Sequence, residues 1–114
     1  MALETTLQQI RDAGATAVAV VSRDGTVLAA DLPPGVSRET FSIMCATIHG
    51  AGMTVSNEMR RSAPKRISLE SAEGRILITE AGRRALVVFV FPSAVEPNEA
   101  QLKAFLDAVA RDTG

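Results

Sequence analysis

Hydrophobic residues near both ends of the chain recur every three or four positions, which is the spacing of one helix face. At the beginning these residues are Leu3, Leu7 and Ile10. Gly14 follows them, and glycine readily adopts the left-handed conformation that ends a helix. Near the other end the stripe comprises Leu102, Phe105, Leu106 and Val109. We therefore predict a short helix at each end, the second beginning with Pro97 in its first turn.

Between these helices, apolar segments rich in β-branched residues predict strands. The segments 15–22 and 26–30 flank Asp24-Gly25, and an Asp-Gly pair in this position predicts a β-hairpin. Three further strand candidates span 66–70, 75–80 and 84–91. The first two of these alternate polar and apolar residues, so one face of each is expected to point to solvent. The third is apolar on both faces, which predicts a position in the middle of the sheet.

The longest predicted helix lies between the hairpin and these three strands. Pro33 and Pro34 end the preceding strand, since proline has no N–H to donate to a sheet. Ser37 is a suitable N-cap, and helical periodicity then continues to about Arg60. The complete order is α-β-β-α-β-β-β-α. It predicts an α+β fold, a five-stranded antiparallel sheet flanked by helices, with residues 1–114 forming a single domain.

The central helix has two apolar faces when its residues are placed at about 100° per position. We assign one face to the sheet, and it contains Phe41, Met44, Cys45, Ile48, Ala51, Gly52, Val55 and Met59. The opposite face contains Ile43, Ala46, Gly50, Met53, Thr54 and Asn57. A helix that covers a monomer normally carries charged residues on its outward face, and this one carries small and apolar residues instead.

Three small residues at four-residue steps, Ala46, Gly50 and Thr54, would allow a second helix to approach closely. We therefore predict a homodimer interface on this face. If strand 66–70 ends the sheet, its free edge can also pair with another chain, and Ile67 and Leu69 are expected to join the interface.

Composition and charge exclude several classes of protein. The chain has 46% hydrophobic residues and a net charge of −1. We predict no nucleic-acid partner, because the charge is balanced and aromatic residues for base stacking are scarce. The local basic run from Arg60 to Arg66, followed by Arg83 and Arg84, is typical of a solvated surface. With no long apolar run and only one cysteine, the sequence predicts a cytoplasmic protein without a membrane span.

The candidate chemistry is limited to His49 and Cys45, which are the only histidine and the only cysteine. No carboxylate lies three or four positions from His49 to orient it, so a catalytic role has little support. Two such ligands are too few for a structural zinc site. The sequence also lacks the glycine-rich loops that bind phosphate, and we predict no catalytic residue, metal or cofactor.

These features together resemble the roadblock/dynein light chain domain, a profilin- or longin-like fold. The resemblance rests on the order of elements, the hairpin segment 17–30, the long helix of small residues, and the apolar strand 86–90 before the last helix. It implies a homodimer in which the long helices pack side by side and the edge strands join the two sheets. It also implies a non-catalytic adaptor that binds small Ras-like GTPases, similar to the stand-alone prokaryotic members that act with polarity GTPases.

Two other interpretations remain open at this point. The first is a monomeric longin- or sensor-like module that binds a ligand or peptide, which would require a pocket with convergent polar groups. The second is a hydrolase that uses His49 or Cys45.

Overall fold

The elements follow one another in the predicted order. The computed structural model describes residues 2–114. Its elements are α1 (Ala2–Asp12), β1 (Ala17–Ser22), β2 (Val27–Asp31), α2 (Arg38–Glu58), β3 (Arg66–Ser71), β4 (Gly74–Ala81), β5 (Ala85–Pro92) and α3 (Glu99–Thr113). The predicted fold class is therefore confirmed.

All five strands form one antiparallel sheet in the order β2-β1-β5-β4-β3. β5 lies in the middle, between β1 and β4, as its continuous apolar sequence predicts. β2 and β3 form the two edges, so the strand at 66–71 does end the sheet.

Helices cover the sheet on both faces. α1 and α3 pack on one face, where Ile10, Phe89 and Val109 are completely buried. α2 packs on the other face, over a smaller cluster that includes Leu86 and Val88. Each large apolar side chain buried in this way contributes about 1.5–3 kcal/mol. Among residues 2–114, no helix has both the length and the apolar character needed to cross a membrane.

Two local expectations are wrong. Pro97 does not open the last helix, because Asn98 is the N-cap and its side chain accepts a hydrogen bond of 3.0 Å from the N–H of Gln101. β4 does not expose one face, since both Ile78 and Thr79 are buried. Its neighbours β5 and β3 place β4 within the sheet, under helices on both sides, and the Thr79 hydroxyl donates to the Val87 carbonyl at 2.8 Å.

Candidate protein interaction surface

α2 begins where the sequence predicts, but it is rotated relative to the expected orientation. The Ser37 side chain accepts a hydrogen bond from the N–H of Thr40 at 3.2 Å and caps the helix. The side chains that it buries against the sheet are Ser42, Cys45 and His49. Two of these three are polar, so hydrophobicity alone could not identify the buried face.

The rotation corrects the residues assigned to the sheet-facing side. Met44, Val55 and Met59 are 51%, 64% and 68% exposed, and Ala51 is also exposed. The remaining members of that set, Phe41, Cys45, Ile48 and Gly52, are buried or half-buried as expected. The error arose because these exposed residues are as apolar as a core face, although they contact solvent in the monomer.

The residues predicted to face a partner are mostly exposed. Ile43, Gly50, Met53, Thr54 and Asn57 all point away from the sheet. Ala46 is the exception, because it is half-buried and packs beside the cluster under α2, at the border of the two faces.

We use the name outer face of α2 for a set of exposed, uncharged residues that runs along the helix. It comprises Ile43, Met44, Gly50, Met53, Thr54 and Val55. Between Glu39 and Glu58 the sequence contains no Asp, Glu, Lys or Arg. The outer face therefore carries no charge and exposes four large apolar side chains, Ile43, Met44, Met53 and Val55, and exposed apolar residues grouped in this way often mark an interaction site.

The two glycines of α2 have different surroundings. A Cβ added to Gly52 would lie 2.6 Å from Cδ1 of Ile67 on β3, so a larger residue there would have to displace the end of the Ile67 side chain. A Cβ added to Gly50 would meet nothing within 4 Å. Glycine inside a helix costs about 1 kcal/mol relative to alanine. No contact within residues 2–114 explains that cost at Gly50.

The β3 edge adjoins α2 through this same contact. Ile67 is half-buried against the cluster under α2, whereas Leu69 is 40% exposed. The Glu80 N–H donates to the Lys65 carbonyl at 3.2 Å, just before β3 begins. This bond shows which residues of β3 direct their backbone N–H and C=O groups toward β4. In an antiparallel pair the bonded positions are two residues apart, so Ile67 and Leu69 bond to β4 and Ser68 directs its backbone N–H and C=O away from the sheet.

A partly buried polar network connects the middle of α2 to the sheet. His49 Nε2 lies 2.9 Å from Oε2 of Glu80 on β4, and Nη1 of Arg23 lies 3.0 Å from the same oxygen. Burial is the largest influence on Glu80 and would raise its pKa. The hydrogen bonds from Arg23 and His49, together with the positive charge of Arg23, outweigh that effect, so the pKa of Glu80 lies below its ordinary value.

The pairing of Glu80 with His49 is not predictable from local sequence, because the two residues lie 31 positions apart in the chain. The local sequence gives little sign of this role, because Glu80 lies in a strand that also contains the polar residues Arg75 and Thr79. His49 is 3% exposed and is hydrogen-bonded to a carboxylate that also binds arginine, so it has the environment of a structural residue.

Cys45 is also buried, at 4% exposure. Burial raises the pKa of its thiol to about 11, so the nucleophilic thiolate is scarce near neutral pH. Residues 2–114 contain no group of three or more His, Cys, Asp or Glu side chains placed to bind a metal ion.

The chain is similar to known proteins across most of its length. The family model of the roadblock/LC7 domain matches residues 1–91. The uncharacterized protein MJ0714 of Methanocaldococcus jannaschii is 33% identical over 82 residues, which cover 72% of this chain and 70% of that protein.

Two solved structures have the same fold. Myxococcus xanthus MglB superposes with a TM-score of 0.87 at 15% identity, over 95% of this chain and 91% of that one. A structure of MglB with a tetrameric arrangement gives a TM-score of 0.85 at 21% identity, over 96% of this chain and 85% of that one. Together with the family match, these similarities show that the chain belongs to the roadblock/LC7 domain family.

Proposed function

We propose that this chain is a non-catalytic homodimeric adaptor that binds a small Ras-like GTPase and modulates its nucleotide cycle. The dimer would form through the outer face of α2 and the free edge of β3, with Ile43, Gly50, Met53, Thr54, Asn57 and Leu69 at the contact. Ala46 and Ile67 would support it from the border, since both are half-buried against the protomer's own core.

The observation that carries the dimer proposal is the open space at Gly50. A glycine there is unfavourable for an isolated helix, and it becomes useful if the backbone of a second helix approaches at that point. Apolar side chains with no charge among them surround this position, so association would remove them from water.

The adaptor role is supported by family membership and by the structural role of the two candidate catalytic residues. His49 and Cys45 are buried under α2, where a substrate would have no direct access. The MglB likeness includes a tetrameric arrangement, which favours assembly as part of the function. The GTPase partner follows from the resemblance to the roadblock family.

A binding experiment tests the partner. Ras-like GTPases encoded in the same genome are loaded with GDP or with a non-hydrolysable GTP analogue and passed over the immobilised protein. We expect at least one to bind, with affinities that differ between the two nucleotides, and to show an altered rate of GTP hydrolysis or exchange. If none binds in either nucleotide state, the GTPase proposal is wrong, whereas the dimer proposal is judged separately by molecular mass.

A further inference from the structure

We propose a second binding site, whose ligand is an acidic peptide segment with an apolar anchor residue. The site lies at the end of the sheet, where the β1–β2 and β4–β5 turns meet the C-terminal end of α3. A cavity of about 600 Å³ opens there, lined by residues of both turns, by Leu28 and by Thr113. The cavity is a shallow depression open to solvent, and its volume lies within the range of ligand sites. The residues of the outer face of α2 and of the β3 edge do not line it.

The walls of the cavity are held in place by Arg23. Its Nε donates to the Arg83 carbonyl at 2.7 Å, and its Nη2 donates to the Gly82 carbonyl at 2.9 Å. The third contact, to Glu80, neutralises the Arg23 charge. Arg23 therefore joins the two turns. Because its charge is paired with Glu80, the unpaired charge of the site comes from Arg83 and Arg84.

The free positive charges belong to Arg83 and Arg84. Both residues are exposed, and neither side chain forms a hydrogen bond or ion pair within residues 2–114. Asp24 is the only acidic residue in the lining, and the hydroxyls of Ser22 and Thr26 and the Thr26 N–H already bind its carboxylate. Carboxylates of a partner would thus find two unpaired guanidinium groups, whose planar forks suit bidentate binding.

An apolar side chain lies beside these charges. Leu28, on the edge strand β2, is 42% exposed and lines the same cavity. A small inorganic anion would occupy little of about 600 Å³ and would leave Leu28 uncovered. A peptide with acidic residues around one apolar residue would satisfy the arginines and cover Leu28 together, so we favour this occupant over a free anion.

The test uses a fluorescent synthetic peptide in which glutamates flank a central leucine, and a control peptide in which glutamines replace the glutamates. Binding is followed by fluorescence anisotropy for the wild type, for Arg83→Glu/Arg84→Glu, and for Arg60→Glu/Arg61→Glu. The last variant has the same charge change at two exposed arginines that do not line the cavity. Circular dichroism and molecular mass verify that all three proteins keep the same fold and assembly.

We expect the acidic peptide to bind the wild type, and the control peptide to bind at least tenfold more weakly. The Arg83/Arg84 variant should lose at least a factor of ten in affinity, which corresponds to about 1.4 kcal/mol, and the Arg60/Arg61 variant less than a factor of two. Equal losses in both variants would show non-specific charge attraction and overturn the proposal. Absence of peptide binding would overturn it as well, including the case in which the protein instead binds phosphatidylserine vesicles.

Discussion

The two edge strands of the sheet differ in how far they are protected from pairing with another chain. β2 has five residues, pairs with β1 through a shifted register beside Val20, and ends just before two prolines. Nη2 of Arg38 donates to the Ala30 carbonyl at 3.0 Å, and Asp31 forms an ion pair with Arg11 at 2.7 Å. β3 has six residues in regular register with β4, and all of them except Ile67 are exposed.

This difference identifies the edge that is available for association. Proteins usually protect an exposed edge by shortening it, by irregular pairing, or by adding charge and proline, because unpaired N–H and C=O groups attract other strands. β2 has these protections, whereas β3 has an uninterrupted register and adjoins the outer face of α2. In the proposed dimer the sheet would therefore continue through β3, and β2 would remain a free edge.

The largest effect expected from a change in either edge strand comes from blocking the β3 edge. Ser68→Pro removes an outward N–H while leaving the bonds of Ile67 and Leu69 to β4 intact, and proline is tolerated on an edge strand. We expect the dimer dissociation constant to rise at least about 30-fold, since lost pairing and steric conflict occur twice in a symmetric interface. Sedimentation equilibrium measures this constant.

Two control variants complete that experiment. Arg38→Ala exposes the Ala30 carbonyl on β2 and should change the dimer constant less than twofold. Ile67→Pro removes an N–H that bonds to β4 and should lower the stability of the protomer itself. If Arg38→Ala weakens the dimer as much as Ser68→Pro does, then β2 takes part in association and the distinction between the edges is wrong.

A smaller effect is expected from releasing α2 from the sheet. Glu80→Gln removes the charge that binds both His49 and Arg23, so the free energy of unfolding should fall by about 1–3 kcal/mol. Chemical denaturation at neutral pH measures the change. A variant as stable as the wild type would show that this network does not hold α2 in place.

The pH dependence of this difference follows from the lowered pKa of Glu80. The stabilisation is complete above the ordinary value of 4.5 and is lost as pH falls through the lower pKa of the folded protein. The stability difference between wild type and Glu80→Gln should therefore shrink as the pH falls below 4.5. Asp24 and Glu99 also have lowered pKa values, but they are present in both proteins and cancel in the difference.

Thiol labelling of Cys45 tests whether the sheet-facing side of α2 stays buried in solution. Cys45 is buried and its pKa is raised to about 11, so it should react with a thiol reagent at least 100-fold more slowly than in the unfolded chain near neutral pH. The labelling rate is measured with a disulfide reagent that releases a coloured thiolate, whose absorbance is followed over time. Fast labelling of the native protein would mean that α2 opens readily, contrary to its position in the structure.

The sequence predicts the elements better than it predicts their contacts. Periodicity, Ser37 and the Asp24-Gly25 turn were sufficient for the order of elements, because each of these signals is local. The rotation of α2 was not predictable in this way. It depends on burial of Ser42 and His49, and the residue that makes burial of His49 acceptable, Glu80, is distant in the chain. The apolar residues of the outer face of α2 then resembled a core.

The central claim, that the outer face of α2 is a dimer contact, is tested most directly by sedimentation equilibrium of the wild type, Gly50→Leu and Gln101→Leu at one concentration. Gln101 is exposed on α3 and controls for the addition of a leucine to a helix surface. We predict a dimer for the wild type and for Gln101→Leu, and a folded monomer for Gly50→Leu, because a Cβ added at Gly50 has open space around it in the protomer. A monomeric wild type, or a Gly50→Leu variant that dimerises with unchanged affinity, would contradict the claim.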